Sequence, residues 1–132
     1  MKSLLRPAVA LLATFAFSLA TVPDDVRGNL EKLVPETIRL LEAKEFATVL
    51  ETLVPPDEFK KITAERPIAE FAAKFGENKA ASLLAVLKAV KDRKAKVSED
   101  GNTATFDLPE IPDVPRKTLV FAKIEGRWFI KN

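Results

Sequence analysis

The chain of 132 residues contains no cysteine, no histidine and no tyrosine. Without cysteine it has no disulfides, no thiol nucleophile, no thiolate metal ligand and no residue that a lipoprotein signal could acylate. Without histidine it lacks the usual general base at neutral pH and the commonest metal ligand. Carboxylates, lysines, arginines and hydroxyl groups remain for chemistry, and their spacing shows no metal-ligand pattern. We therefore expect no metal site and no cofactor.

The first twenty residues have the plan of a signal peptide. Lys2 and Arg6 precede an uncharged run, residues 8–20, that ends in the small residue Ala20. A membrane-spanning helix needs about 20 apolar residues, and this run is shorter and lacks a basic flank on its far side. We expect cleavage after Ala20, export to the periplasm or the medium, and one domain over residues 21–132 with no stable membrane anchor. A buried N-terminal helix and an uncleaved anchor are the alternatives.

Removal of residues 1–20 changes the charge balance of the chain. Two of its 21 basic residues, and none of its 19 acidic ones, lie in that segment. The remaining chain therefore has 19 of each and a net charge of zero. The basic footprint that is typical of nucleic-acid-binding proteins is absent, so we exclude nucleic acid as a partner.

Apolar residues recur at helical spacing from Val26 to Leu41. Asp24 and Asp25, ahead of them, can cap the first turn. Pro35 lies inside the pattern, and we expect one continuous helix that is kinked there. A second apolar stripe, from Phe46 to Leu53, stops before two consecutive prolines, which disfavour the helical conformation.

Three shorter segments complete the helical half. A turn or short helix around Phe59 precedes Pro67, a favoured first-turn residue that starts a clearer helix. Gly76 is expected to end that helix as its C-cap. The last helix is expected from Asn78 to about Asp92, with an apolar wall and lysines on its other faces. The basic stretch at its end, KDRKAK, complements the negative end of the helix dipole.

After the helices the period changes to the alternation that is typical of strands. A first hairpin turns at Asp100-Gly101 and a second, residues 117–131, turns at Glu125-Gly126. Prolines at 109, 112 and 115 predict a stiff connection between the hairpins. The sequence thus predicts an α+β domain in which N-terminal helices, about 24–92, pack on a C-terminal four-stranded antiparallel meander, about 94–131.

Two stretches, LLEAKEFATVLETLVPP and the final hairpin AKIEGRWFIKN, follow the signal-like start. Together they resemble small exported members of the ketosteroid-isomerase and nuclear-transport-factor-two cone superfamily, over about residues 24–132. The resemblance implies that the helices close a curved sheet into a cone. The chain departs from that superfamily in two ways. Its helical region at 57–92 is longer than expected, and it has four strands where fuller members have more. Enzymes of that superfamily use an aspartate base with tyrosine or histidine donors, which are missing, so no catalytic residue carries over.

Three functions stay open. The first is an exported, non-catalytic binding or accessory domain, with a pocket or docking surface for a small apolar ligand or a protein partner. The second is an isomerase or lyase that uses a buried carboxylate; Asp107 is the acid to test, although its alternation with threonines favours a solvated face. The third is a homodimeric structural or assembly protein, because both faces of the strand at 117–124 carry apolar residues. The predicted pocket or interface residues are Phe71, Phe75, Leu87, Phe106, Phe121 and Trp128.

Overall fold

A computed structural model describes residues 22–131, so the predicted signal peptide lies outside the described residues. Within this range six helices come first and four strands follow, which confirms the α+β class. None of these helices is long and apolar enough to cross a membrane. The helices are α1 (Asp24–Arg27), α2 (Leu30–Glu42), α3 (Phe46–Leu53), α4 (Pro56–Glu65), α5 (Ile68–Asn78) and α6 (Ala80–Val90), and the strands are β1 (Lys96–Val97), β2 (Thr103–Asp107), β3 (Thr118–Ile124) and β4 (Arg127–Lys131).

The first helical segment is interrupted at Gly28 rather than merely kinked at Pro35, which corrects the prediction of one continuous helix. The side chain of Asn29 caps α2 by accepting a hydrogen bond from the Glu31 amide at 2.9 Å. Pro35 is exposed inside α2, and the helix runs through it. A Cβ on Gly28 would lie 3.0 Å from the carbonyl oxygen of Gly126. The break therefore lets the chain pass close to the β3–β4 turn.

Helix α1 lies against β4, one of the two edge strands of the sheet. Asp24 pairs with Arg127 at 2.8 Å. The Arg27 guanidinium lies 5.1 Å from the centroid of the buried Phe129 ring and donates a hydrogen bond to the Thr52 carbonyl at 3.0 Å. Burial lowers the pKa of Arg27. This arginine thus covers an aromatic ring on the side of the sheet opposite the core.

Helix α5 continues past Gly76 to Asn78, so the prediction that this glycine ends the helix is wrong. A Cβ at Gly76 would lie 2.5 Å from a carbon of the Phe46 ring. Phe46 in turn packs edge-on against Phe75, with ring centroids 5.8 Å apart. The glycine therefore provides space for the first residue of α3 instead of ending α5.

The four strands form one antiparallel sheet in the order β1-β2-β3-β4, which confirms the predicted four-stranded meander; the sheet is not closed into a barrel. The register pairs Ala104 with Phe121, Phe106 with Leu119, and Phe121 with Ile130. Cross-strand partners share a face, so these side chains form the helix-facing side of the sheet. The strand β1 has two exposed residues and is shorter than the predicted alternation suggested.

The core lies between this face and the helices α2, α3 and α6. Its polar members in the described range are threonines. The Thr37 hydroxyl donates to the Leu33 carbonyl at 2.8 Å and the Thr52 hydroxyl to the Thr48 carbonyl at 2.7 Å, which satisfies them within their own helices. Among residues 22–131 no carboxylate is buried. The core includes Leu33, Leu40, Val49, Leu53, Leu87, Val90, Phe106, Leu119, Phe121 and Trp128.

Candidate ligand-binding cleft

A cleft of about 840 Å³ opens between the four helices α3, α4, α5 and α6 and the connection from β2 to β3. Small-molecule sites in proteins typically enclose ~300–1,000 Å³ and have mainly apolar walls. The cleft fits that description in size and in the character of its walls. Its apolar lining consists of Val49, Leu50, Leu53, Val54, Pro55, Ile62, Phe75, Leu83, Val86, Val114, Pro115 and Ile130.

Two breaks between helices place these walls. Val54 is extended, and the prolines after it turn the chain so that α4 starts at Pro56. Lys79 belongs to neither α5 nor α6, with φ −128° and ψ −24°. Its amide donates to the Phe75 carbonyl at 2.8 Å, and its own carbonyl accepts from the Leu83 amide at 3.0 Å. The chain therefore bends at Lys79 while both helices keep their terminal hydrogen bonds.

The polar part of the lining has no net charge. It holds two acidic side chains, Glu58 and Asp113, and two basic ones, Lys79 and Arg116. Two neutral polar residues, Asn78 and Ser82, complete it. The cleft is therefore an apolar space whose charged lining residues are balanced in sign.

One wall of the cleft comes from residues 109–116, which we call the proline loop. Its residues Asp113 to Arg116 line the cleft. The Val114 amide donates to the Ile111 carbonyl at 3.1 Å, and both side chains are half-buried against the core. The loop thus joins the two hairpins and also contributes directly to the candidate site.

No family model, curated protein or solved structure matches this chain. Over residues 22–131, acidic side chains form no group of three or more that could hold a metal ion.

One member of the predicted pocket set, Phe75, lies on the cleft wall. Phe71 is half-buried on the same helix. The other four are buried, and their contacts with other core residues leave them away from the cleft lining. A binding role for the whole set stays a prediction. These four residues are Leu87, Phe106, Phe121 and Trp128.

Asp107 lies at the exposed end of β2, on the solvated face that its alternation predicted. Its carboxylate pairs with the Lys96 ammonium at 3.4 Å, and its carbonyl accepts a hydrogen bond from Arg93 at 3.4 Å. Both cations belong to the basic stretch KDRKAK. That stretch therefore contacts the neighbouring strand, and Asp107 takes no part in the cleft.

The sequence-based site prediction missed the lining residues of α3 and the proline loop. Leu50 and Leu53 were recognised as an apolar stripe, but a stripe does not reveal whether it faces a core or a cleft. Val114, an apolar residue between two prolines in an exposed connection, was the available signal. An apolar side chain in such a loop indicates a contact with the body of the domain.

Proposed function

We propose that this protein is a non-catalytic binding domain whose cleft takes a neutral, largely apolar small molecule. The observation that carries the proposal is the cleft of about 840 Å³, whose lining is mainly apolar and comes from four helices, the proline loop and Ile130. Burial of apolar ligand surface against such walls gives ~25 cal/mol per Å² of favourable free energy. The cleft is therefore suited to hold a ligand mainly through its apolar body.

The charge balance of the cleft supports a ligand without net charge. An anionic or cationic ligand would meet side chains of both signs, two acidic and two basic. Desolvating an ionic group without a matched partner is costly. A neutral molecule with one polar end loses less, because Asn78 and Ser82 offer hydrogen-bonding groups at the lining.

The proposed place of action is outside the cytoplasm. Its basis is the signal-peptide plan of residues 1–20. Membership of the cone superfamily is likewise proposed, supported by the order of the elements, helices before a four-stranded meander.

The alternative, an enzyme that depends on a carboxylate, has less support. A general acid or base of this type needs a pKa raised by burial. Among the described residues the buried polar side chains are threonines, and Asp107 is exposed and paired with Lys96. Binding is therefore favoured over catalysis.

Two fluorescent probes that share a ring system and differ in charge test the proposal. N-phenylnaphthylamine is neutral, and anilinonaphthalene sulfonate carries one negative charge. We expect the neutral probe to bind saturably and at least about tenfold more tightly than the anionic one, because the sulfonate would be desolvated in a lining whose acidic and basic side chains balance and so offer it no net positive charge. A fluorescence titration of each probe gives the two Kd values. Tighter binding of the anionic probe, or no saturable binding of either, would contradict the proposal.

A further inference from the structure

The proline loop is stiff within itself. Its three prolines each restrict φ to about −65°. Its tip is closed by the hydrogen bond from the Val114 amide to the Ile111 carbonyl. Pro112 is followed by Asp113 with φ +65°, which is the pattern of a type II turn. These restraints fix the internal shape of the loop, so motion of the loop relative to the rest of the domain is the motion of one rigid segment.

The proline loop buries few apolar side chains against the body of the domain. At its base the Leu108 amide donates to the Lys117 carbonyl at 2.9 Å. Ile111 and Val114 are its half-buried residues, and its other six residues are exposed. The consecutive residues 108–117 curve around an open concavity of about 1080 Å³. Segments with few buried apolar contacts open locally at low free energy.

We propose that the proline loop is a flap that opens and closes over the cleft. Val114 is both an anchor of the loop and a lining residue of the cleft, so its detachment removes one wall of the site. The flap would turn at Leu108 and Lys117, admit a ligand when Val114 is detached and retain it when Val114 packs again. The role of this motion in admitting and retaining a ligand rests on the proposed function. The motion itself does not require a ligand.

The absence of cysteine from the chain allows one engineered thiol to report the motion. Val114→Cys places a thiol at the anchor, Val97→Cys at an exposed position and Val90→Cys in the core. Reaction rates with a thiol reagent are measured in native buffer. We expect Val114→Cys to react at least about tenfold slower than Val97→Cys and at least about tenfold faster than Val90→Cys, because the flap opens without global unfolding. Ala104→Cys supplies a second core position if Val90→Cys does not fold.

A second substitution tests the other anchor. In the Val114→Cys chain, Ile111→Ala removes apolar contact with the core, and we expect thiol labelling to accelerate about fourfold or more. Ile38→Ala is the matched control, since Ile38 is also a half-buried isoleucine against the core but lies on α2. The control should change the labelling rate by less than about twofold. Equal acceleration by both substitutions would overturn the flap, because it would indicate general destabilisation.

The remaining outcomes separate the flap from the proposed function. A Val114→Cys rate equal to that of Val97→Cys, or to that of Val90→Cys, overturns the flap, since the loop would be undocked or would open only on unfolding. N-phenylnaphthylamine should slow the labelling of Val114→Cys. If the probe does not bind while the order of rates holds, the flap stands and the proposed function fails. If the probe binds without slowing the labelling, the flap does not control the cleft.

Discussion

Gly76 sets how closely α5 approaches the start of α3. A Gly76→Ala change adds a Cβ that would lie 2.5 and 2.6 Å from two carbons of the Phe46 ring. Overpacking of this kind costs ~1–3 kcal/mol, and the better helix propensity of alanine returns ~1 kcal/mol. We expect a net loss of about 1 kcal/mol in the free energy of unfolding, measured by urea denaturation.

The control for this prediction is the Phe46→Leu background, in which the aromatic ring is absent. There Gly76→Ala should be neutral or stabilising, because only the propensity gain remains. The explanation would be wrong if alanine at this position had the same effect on stability with and without the ring.

Gly76 also shows why residue identity misled the sequence-based prediction. A glycine near a helix end is typical of a C-cap. Only the packing of α3 against α5 shows that this glycine leaves space for the Phe46 ring.

Residue-scale predictions from the sequence succeeded where a side chain alternates along a strand. Alternation along β4 puts Trp128 and Ile130 on one face of the strand, and Trp128 is buried opposite Lys123 in the register. Phe129, on the other face, is buried too. Its cover is Arg27, about a hundred residues away in sequence, and strand periodicity carries no information about such a distant contact.

At the scale of elements, the connection between α2 and α3 contains a strained residue. Lys44 has φ +61°, a conformation that favours glycine. Its amide donates to the Leu41 carbonyl at 3.1 Å, and the Glu45 amide donates to the Leu40 carbonyl at 2.9 Å. This is the Schellman pattern that ends many helices. We expect Lys44→Gly to raise the free energy of unfolding by about 1 kcal/mol, measured by thermal or urea unfolding.

The neighbouring residue supplies the comparison. Ala43 has φ −82°, where glycine gains nothing and adds freedom to the unfolded chain. Ala43→Gly should therefore lower stability by roughly 0.5–1 kcal/mol. If both glycine substitutions destabilised the protein equally, Lys44 would not be strained by its positive φ.

Most element boundaries followed from the sequence because their causes are local. The Pro55-Pro56 pair ends α3 and starts α4 as expected, and Gly126 supplies a positive φ in the last turn. The break at Gly28 was missed, because it depends on the close approach of the chain to the Gly126 carbonyl. The break before the last helix was expected between Gly76 and Asn78. It lies at Lys79 instead, a position that no proline or glycine occupies.

For the whole molecule, the exposed apolar surface supports the cleft as the binding feature. Among the described residues the exposed large apolar side chains are Val97 and Ile124. Val97 pairs with Ala104 on the helix-facing side, whereas Ile124 pairs with Arg127 on the other, so they do not join into one patch. The homodimer suggested by the two faces of β3 stays a prediction.

The sequence predicts the fold class correctly, but it does not predict the cleft. Periodicity locates each helix and strand separately. The cleft forms where α3, α6 and the proline loop converge, and these segments are separated by tens of residues along the chain. Their convergence follows from the packing of the whole domain.

The most direct measurement compares ligand binding by two variants. One has a tryptophan inside the cleft, and the other has a tryptophan on the same helix beside the cleft. Ser82 lines the cleft and is exposed, while Ala81, also exposed on α6, does not line it. Ser82→Trp should fill the space and weaken the binding of N-phenylnaphthylamine at least about tenfold, because the probe loses its apolar contacts. Ala81→Trp should leave the Kd within about twofold of the original protein.

Fluorescence titration of the three proteins gives these Kd values, and circular dichroism checks that each is folded. A selective loss in Ser82→Trp is the predicted result. Unchanged binding in a folded Ser82→Trp protein, or an equal loss in both variants, would contradict the assignment of the cleft as the binding site.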